Sequence, residues 1–274
     1  MLQRSEHSPA ATTWWRQGIL DLVDGVANWR LCHLIGLAEI RRRYSRSKLG
    51  QFWLTLSTAL TVAALGFVWA TLWKAPVAEL LPYVAVSLIC WNMITGVLTE
   101  ATTVFTATGH MFLNQGMSFS TAIYAIIYRQ IVIFLHNIPV IIGVALLFGF
   151  HVRTEHLLVV PGFLLLLTSL TWMSYLIAIA CVRFRDLTQV VQNLMMLAFF
   201  VTPVIWRPMQ LPPDKHYLLM FNPFAVLLEV VRDPLLGTSP PVFVWATAAA
   251  IAIGGFLLAI PIIGYCRRRI IYWI

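Results

Sequence analysis

The stretch RRRYSRSKLGQFW, residues 41–53, marks the point at which a cationic N-terminal region changes into hydrocarbon. Five of its first eight residues are basic, namely Arg41, Arg42, Arg43, Arg46 and Lys48, and the uncharged run Phe52–Trp73 follows directly. Basic residues that flank a first membrane span stay on the cytoplasmic side. The stretch therefore predicts a cytoplasmic N-terminus and a first helix that runs outward.

Composition places the chain among integral membrane proteins. Hydrophobic residues make up 59% of the 274 positions and charged residues 11%, with a mean hydropathy of +0.80, which is too apolar for a soluble domain. The net charge of +8 belongs to basic residues beside apolar runs, so we expect no nucleic-acid partner. The four cysteines show no CxxC pair and are interpreted as reduced packing residues. The first forty residues lack the pattern of a cleaved signal peptide.

The region before the first span, residues 1–51, is predicted to be a cytoplasmic tail followed by an amphipathic helix. From Ile19 onward, apolar residues recur at helical spacing and charged residues take the other faces. We expect this helix to lie in the membrane interface, because its charges are too frequent for a crossing. Packing against a soluble partner is the alternative.

Six segments are long and apolar enough to cross a bilayer, which requires about 20 residues each. They are Phe52–Trp73, Leu80–Thr99, Gln130–Phe150, Leu157–Val182, Leu187–Trp206 and Val242–Cys266. An even number returns the C-terminus to the cytoplasm. The resulting topology puts 14 basic residues inside and five outside, which agrees with the positive-inside rule.

Two connections are longer than a turn. The inner loop Glu100–Tyr128 contains a short segment between two glycines, and we expect a small helix under the membrane near residues 108–118. The outer connection Arg207–Pro241 holds seven of the 14 prolines and two apolar stretches, Tyr217–Phe221 and Phe224–Val231, that are too short to span. Asn222 and Pro223 suit the start of the second stretch. We therefore predict two short re-entrant helices between the fifth and sixth spans.

The sequence gives no positive sign of an enzyme active site. No GxxxxGK[ST] motif is present, so any ATP that drives this protein binds to another chain. The histidines of HVRTEH, residues 151–156, are five positions apart, which does not match the i, i+4 pair of a helical metal site. We predict no catalytic residue, metal or cofactor in this chain.

Polar residues inside predicted spans are the candidates for a translocation path, because they are costly in hydrocarbon. They are Asn92, His136, Asn137, Gln189, Gln192 and Asn193. The last three share one helical face, which either lines a polar path or forms interhelical hydrogen bonds. Trp91 and Trp172 lie deeper than the interfacial aromatic residues, and they either stack on sugar rings or pack in the core.

Three blocks of sequence resemble one family. RRRYSRSKLGQFWLTLS is similar to the start of the first span in the membrane subunits of type-2 ABC exporters of polysaccharides. FRDLTQVVQNLMMLAFFVTPVIW, residues 184–206, resembles the loop and fifth span of that family. FNPFAVLLEVVRDPLLG, residues 221–237, resembles its outer re-entrant segment. The blocks occur in the family's order and with its topology, and the likeness extends from about Ile19 onward.

This resemblance implies a homodimer that pairs with two copies of a separate ATP-binding subunit, which carries ATP and Mg. Residues 52–274 would form the six-span domain. The ATP-binding subunit would dock under the inner-loop helix, where the matching residues are Thr108, Gly109, His110, Met111, Phe112, Asn114 and Gln115. The implied substrate is a polysaccharide on an undecaprenyl diphosphate carrier, moved across the bacterial inner membrane. O-antigen is the first choice, and capsule and teichoic acid are the nearest relatives.

The charged residues at the two membrane faces suit this substrate. Arginine pairs bidentately with phosphate oxygens, so the cations from Arg41 to Lys48 either receive the diphosphate or only set topology and contact anionic lipids. The outer connection is expected to gate the exit, with Trp206, Arg207, Asn222, Pro223, Glu229 and Arg232.

Three other classes remain as rivals. A type-2 ABC exporter of a drug or small lipid shares the six-span plan. A polytopic enzyme would need more acidic or nucleophilic loop residues than Glu155, Asp214, Glu229 and Asp233 provide. A secondary transporter is disfavoured, because the sequence has no internal inverted repeat and no acidic pair in mid-span.

Overall fold

The computed structural model describes residues 11–44, 50–149, 153–215 and 217–274, and every regular element in these ranges is helical. Short 3-10 turns occupy Thr154–Leu158, Pro208–Gln210 and Pro213–Lys215. The α-helices are α1 Ala11–Ala27, α2 Trp29–Tyr44, α3 Phe52–Trp73, α4 Val77–Ala101, α5 Val104–Ala107, α6 Gly109–Gln115, α7 Phe119–Phe148, α8 Val159–Arg183, α9 Leu187–Val201, α10 Tyr217–Met220, α11 Pro223–Leu235 and α12 Val242–Trp273.

Five of the described helices are long and apolar enough to cross a membrane: α3, α4, α7, α8 with its preceding 3-10 turn, and α12. This confirms an all-helical, multi-pass membrane protein. The predicted fifth span, α9, is apolar but has only 15 residues. Its length of about 22 Å is less than the thickness of a hydrocarbon core of about 30 Å.

Helix α4 lies at the centre of the bundle, where it packs against α3, α7, α8, α9 and α11. Every residue from Tyr83 to Trp91 is buried. Helices α3 and α9 each pack against α4, and most residues of both helices are exposed. Met195 is the one buried residue of α9. The four cysteines are buried free thiols, as predicted.

The third predicted span was too short at its inner end. Helix α7 begins at Phe119, whereas the prediction began at Gln130. The charge of Arg129 had marked the boundary, but this side chain is buried and ion-paired with Glu39 and Glu100, so the helix continues through it.

The fifth and sixth spans also end at different residues from those predicted. Helix α9 ends at Val201 and not at Trp206, because Thr202 precedes a proline and takes an extended conformation. Helix α12 continues past the predicted Cys266 to Trp273, since buried residues keep recurring at helical spacing up to Ile270.

The predicted N-terminal amphipathic helix is two helices, α1 and α2, which meet at Asn28. The side of α1 that faces the bundle carries Gly18, Asp21 and Gly25, and a Cβ atom at Gly18 would lie 2.2 Å from the carbonyl oxygen of Ile260 in α12. The glycine therefore permits direct backbone contact between α1 and α12. Several large apolar residues of α1 point away from the bundle, with Ile19, Val23 and Val26 exposed by 46%, 56% and 62%.

The predicted inner-loop and outer helices have counterparts in the structure. The inner-loop segment consists of two short helices, α5 and α6, where one was predicted. The outer connection contains α10 and α11, and Asn222 is the N-cap of α11, accepting hydrogen bonds from the backbone N–H groups of Phe224 and Ala225. Asn222 also donates to Thr202 Oγ1 (3.0 Å), which ties α11 to the end of α9.

Candidate functional site

A buried carboxylate fastens α1 to the bundle. Asp21 is fully buried and accepts hydrogen bonds from the Ser120 backbone N–H (3.1 Å), the Ser120 hydroxyl (2.8 Å) and the Tyr175 hydroxyl (2.6 Å). Arg267 Nε lies 3.4 Å from its other oxygen. This Asp21 cluster (Asp21, Ser120, Tyr175 and Arg267) joins α1, α7, α8 and α12. Asp21 was predicted only to lie off the apolar face of an interfacial helix, so its burial and the cluster were not predicted.

A second ionic cluster lies at the same end of the bundle. Arg129 of α7 is held between Glu39 of α2 and Glu100 at the end of α4, with its Nε 3.2 Å from Glu100 Oε2. These three residues border a cavity of about 570 Å³ that is also lined by α5 and α6. The cluster connects α2, the helix before the first span, to α4 and α7, and it borders a cavity that the predicted coupling segment also lines. This cluster was not predicted from the sequence.

The predicted coupling segment is anchored by aromatic packing. Phe112 of α6 is buried against Phe105 and Phe119, at ring-centroid distances of 5.8 Å and 4.5 Å. Thr108 bonds back to the Val104 carbonyl (2.7 Å), and His110 is exposed. Among the other residues predicted here, Gly109 abuts the side chain of Ile274 and Met111 is half-buried. The side chains of Asn114 and Gln115 lie outside the described set.

The cations predicted to receive a phosphate head group are described in part. Arg41 and Arg42 are exposed at the end of α2, and Arg42 also lies 3.4 Å from Glu39. Arg46 and Lys48, and the side chain of Arg43, fall outside the described residues.

Amide side chains are exposed on two neighbouring helices of the bundle. Gln189, Gln192 and Asn193 are exposed on α9, and Gln189 donates to Asn193 (3.3 Å). Asn92 is the one exposed residue of α4 from Leu80 to Ala101, a range that the structure describes completely. Because α9 packs against α4, these exposed amides belong to two neighbouring helices.

The other residues predicted for the path lie inside the bundle. Trp91 is buried, with its ring centroid 6.0 Å from each of Phe199 and Phe224. His136 Nε2 lies 3.1 Å from Gln51 Oε1, which links α7 to the start of α3. Trp172 of α8 covers Gly255 of α12. These side chains contact elements of the same chain, as core packing residues do.

The predicted outer gate converges on Tyr83 of α4. Its hydroxyl donates to the carbonyl oxygens of Pro203 (2.9 Å) and Trp206 (3.1 Å) and accepts from Arg232 (2.8 Å). Arg232 is buried and also bonds the Pro203 carbonyl (3.1 Å) and Asp233 (2.8 Å). The Tyr83 cluster (Tyr83, Pro203, Trp206, Arg232 and Asp233) joins α4, the end of α9 and α11. Its central tyrosine was not predicted.

Two further charged residues border the Tyr83 cluster. Arg207 pairs with Glu79 at the start of α4 (3.1 Å). Glu229 on α11 is half-buried, and burial together with the nearby Asp233 raises its pKa above the ordinary glutamate value, although Arg232 opposes the shift.

The model of the family described as ABC-2 type transporter matches residues 30–236, about three quarters of the chain. The chain belongs to the ABC-2 type transporter family. It is similar to two proteins named O-antigen export system permease protein RfbA. The one from Myxococcus xanthus is 22% identical over 194 residues, covering 69% of this chain and 74% of the relative. One from Klebsiella pneumoniae is 21% identical over 223 residues, covering 81% and 85%.

Proposed function

We propose that this ABC-2 chain is the permease subunit of an ATP-driven exporter that moves an undecaprenyl-diphosphate-linked polysaccharide, with O-antigen as first choice, across the bacterial inner membrane. The names of the similar permeases support this substrate class. The observation that carries the proposal is the set of exposed amides on α9 and α4, because a sugar polymer needs many weak polar contacts along its path.

The proposed topology has six crossings with both termini in the cytoplasm. The short helix α9 completes the fifth crossing with the non-helical segment 202–205, whose residues are all buried in protein. Irregular backbone is tolerated at membrane depth under that condition. In this topology α10 and α11 are the re-entrant helices.

The proposed assembly is a homodimer in which the exposed amides of α9 face the partner copy. Exposing an amide to hydrocarbon costs several kcal/mol, roughly 4–8 on a cyclohexane scale, so this face needs protein or water against it. Cross-linking of Asn193→Cys should yield a dimer in native membranes. Leu258→Cys, whose site on α12 is exposed but apolar, is the matched control and should stay monomeric. Equal yields at both positions would contradict this interface.

The proposed energy source is a separate ATP-binding subunit, in two copies, that carries ATP and Mg and docks on α6. The exposed His110 and the aromatic anchor of Phe112 support this docking surface. His110→Glu should reduce co-purification of the ATP-binding subunit. The control Arg16→Ala, which replaces an exposed residue of α1, should not. Normal co-purification of the His110 variant would move the docking surface elsewhere.

In the proposed transport cycle, the cations from Arg41 to Lys48 receive the diphosphate at the inner face. The segment Arg207–Pro241 gates the exit, and the Tyr83 cluster supports this role because it ties α11 to α4 and to the end of α9. Charge reversal at Arg42 should abolish export without loss of insertion or assembly. Covalent locking of the gate across the dimer should block export, and full export by a locked dimer would exclude gating.

Depletion of the protein in its native host tests the function directly. We expect long undecaprenyl-linked polymer to accumulate inside the cell while the same polymer disappears from the surface. If neither pool changes, the polysaccharide assignment fails, and export of a drug or small lipid becomes the leading account.

A further inference from the structure

A second cavity lies at the end of the bundle remote from the described ends of the chain. It has a volume of about 320 Å³ and lies between α4, α7 and the end of α11. The side chains on its α4 and α7 walls are apolar: Pro82, Ala85, Val86, Ile141, Val144 and Phe148. Its rim is polar and carries Arg153, His156 and Thr238. The cavity is thus divided into an apolar body and a cationic rim.

The depth of the cavity matches the outer part of a lipid leaflet. Its α7 wall extends from Ile141 to Phe148 at the end of that helix, which corresponds to about 10 Å of helix. An amphiphile bound there would have its polar group at the helix end and its first methylene groups beside α7. Helices that lie in the interface reach a similar depth, about 5–10 Å.

The guanidinium of Arg153 is available at the rim. It is exposed and makes one long hydrogen bond, to the Gly237 carbonyl (3.4 Å). None of the ion pairs in the described part of the chain involves Arg153. Arg207, which lies at the same end of the bundle, is by contrast paired with Glu79. The imidazole of His156 is fixed beside Arg153 by the Pro234 carbonyl (2.8 Å).

We propose that this cavity binds a glycerophospholipid, with the phosphate on Arg153 and the start of one acyl chain between α4 and α7. Arginine forms strong, charge-assisted hydrogen bonds with phosphate oxygens. The apolar walls of the cavity shield the first methylene groups of the acyl chain from water at the membrane interface. In the proposed topology this lipid belongs to the outer leaflet. The site is separate from the exposed amides of α9 and does not depend on which substrate is exported.

Native mass spectrometry of the purified full-length protein, titrated with phosphatidylglycerol, tests the proposal. The wild type should retain one lipid that is lost last on delipidation. Arg153→Ala should lower the apparent affinity by about tenfold or more, as loss of a charge-assisted contact does. Ala145→Trp, which fills the cavity from the α7 wall, should have a similar effect without changing the rim. Lys215→Ala removes an exposed cation from the outer connection and should leave the affinity unchanged.

Several outcomes would overturn the site. Wild-type affinity in either the Arg153 or the Ala145 variant would show that the lipid binds elsewhere. An equal loss of affinity in the Lys215 variant would show that the lipid responds to the general surface charge and not to a specific contact with Arg153. Arg153-dependent binding of undecaprenyl phosphate with no binding of phosphatidylglycerol would assign the cavity to the carrier lipid and refute the phospholipid. None of these results depends on export, so the proposed function is tested separately.

Discussion

Substitution of Asp21 by asparagine should destabilise the protein far more than the same change at Asp24, although both carboxylates belong to α1 and both approach Arg267. Asp21 is fully buried, with Arg267 Nε at 3.4 Å, whereas Asp24 is half exposed and lies 3.7 Å from the same guanidinium. The pair therefore compares a buried, hydrogen-bonded carboxylate with an exposed one, since helix, chemistry and ionic partner are shared.

The magnitude follows from the contacts of each carboxylate. An asparagine at position 21 keeps the shape of the side chain but loses its charge, and in either amide orientation its N–H₂ group meets a donor. It faces Ser120 and Tyr175 at the Oδ2 position or Arg267 at the Oδ1 position. Breaking a fully buried pair on one side costs about 3–5 kcal/mol. The lower end applies here, because the Arg267 side chain is 33% exposed and keeps Asp24 as a partner. At roughly 2–4 °C per kcal/mol for a chain of this size, the lower figure predicts a fall in Tm of roughly 6–12 °C. An exposed pair contributes about 0–1 kcal/mol, so Asp24→Asn should lower Tm by no more than about 4 °C.

The assay is thermal denaturation of the detergent-solubilised protein, followed by the loss of the monodisperse peak in size-exclusion chromatography. A shift for Asp21→Asn no larger than that for Asp24→Asn would refute the reasoning, because Asp21 would then not be a structural anchor. Expression and membrane insertion of both variants are checked first, so that a folding failure is seen as such.

Three further predictions use contrasts within the chain. Gly264→Ala should detach α1 and lower Tm, because its Cβ would lie 1.9 Å from the Trp14 carbonyl oxygen, whereas Gly254→Ala in the same helix meets nothing within 4 Å; equal Tm values would contradict direct helix contact. Glu229→Gln should raise Tm at neutral pH. The folded-state pKa of Glu229 is raised, so its stabilising contribution is present at low pH and is lost as the pH rises through that pKa. The Tm advantage of the neutral glutamine should therefore vanish on acidification. A Tm difference between the two proteins that stays constant with pH would refute the burial argument. Replacement of both Gln189 and Asn193 by leucine should reduce export severalfold while Tm is kept or raised, and unchanged export would place the polar path elsewhere.

The sequence predicted best where a local property decides the structure. The bounds of α3 agree with the predicted first span, Phe52–Trp73, because an uncharged run between cations determines them. The cap at Asn222 was predicted for the same kind of reason, since the side chain bonds backbone groups two and three residues ahead.

The prediction failed where a distant residue decides the structure. Arg129 looked like the end of a loop, and within the helix it is neutralised by two distant carboxylates, Glu39 (90 residues earlier) and Glu100 (29 residues earlier). Asp21 looked like the polar face of a surface helix, and its acceptor role depends on Tyr175, 154 residues later. Periodicity reports which residues share a face, but not whether that face meets water or a partner. The sequence named the residues of the outer connection and the α9 amides, whose roles stay predictions, and it did not name Tyr83, on which the outer residues converge.

The docking of α1 against the bundle also has a consequence for the order in which the protein folds. Its partners come from α7, α8 and α12, and the last of them, Gly264 and Arg267, lie in the final helix of the described chain. While the chain is being synthesised from its N-terminus, α1 leaves the ribosome before α7, α8 and α12, yet its carboxylate has no complete set of partners until α12 has been made. A chain truncated before α12 would display an unseated helix with an unpaired Asp21 at the membrane surface. Helix α1 therefore completes its docking only after α12 has been made, and that docking reports that α12 is in place.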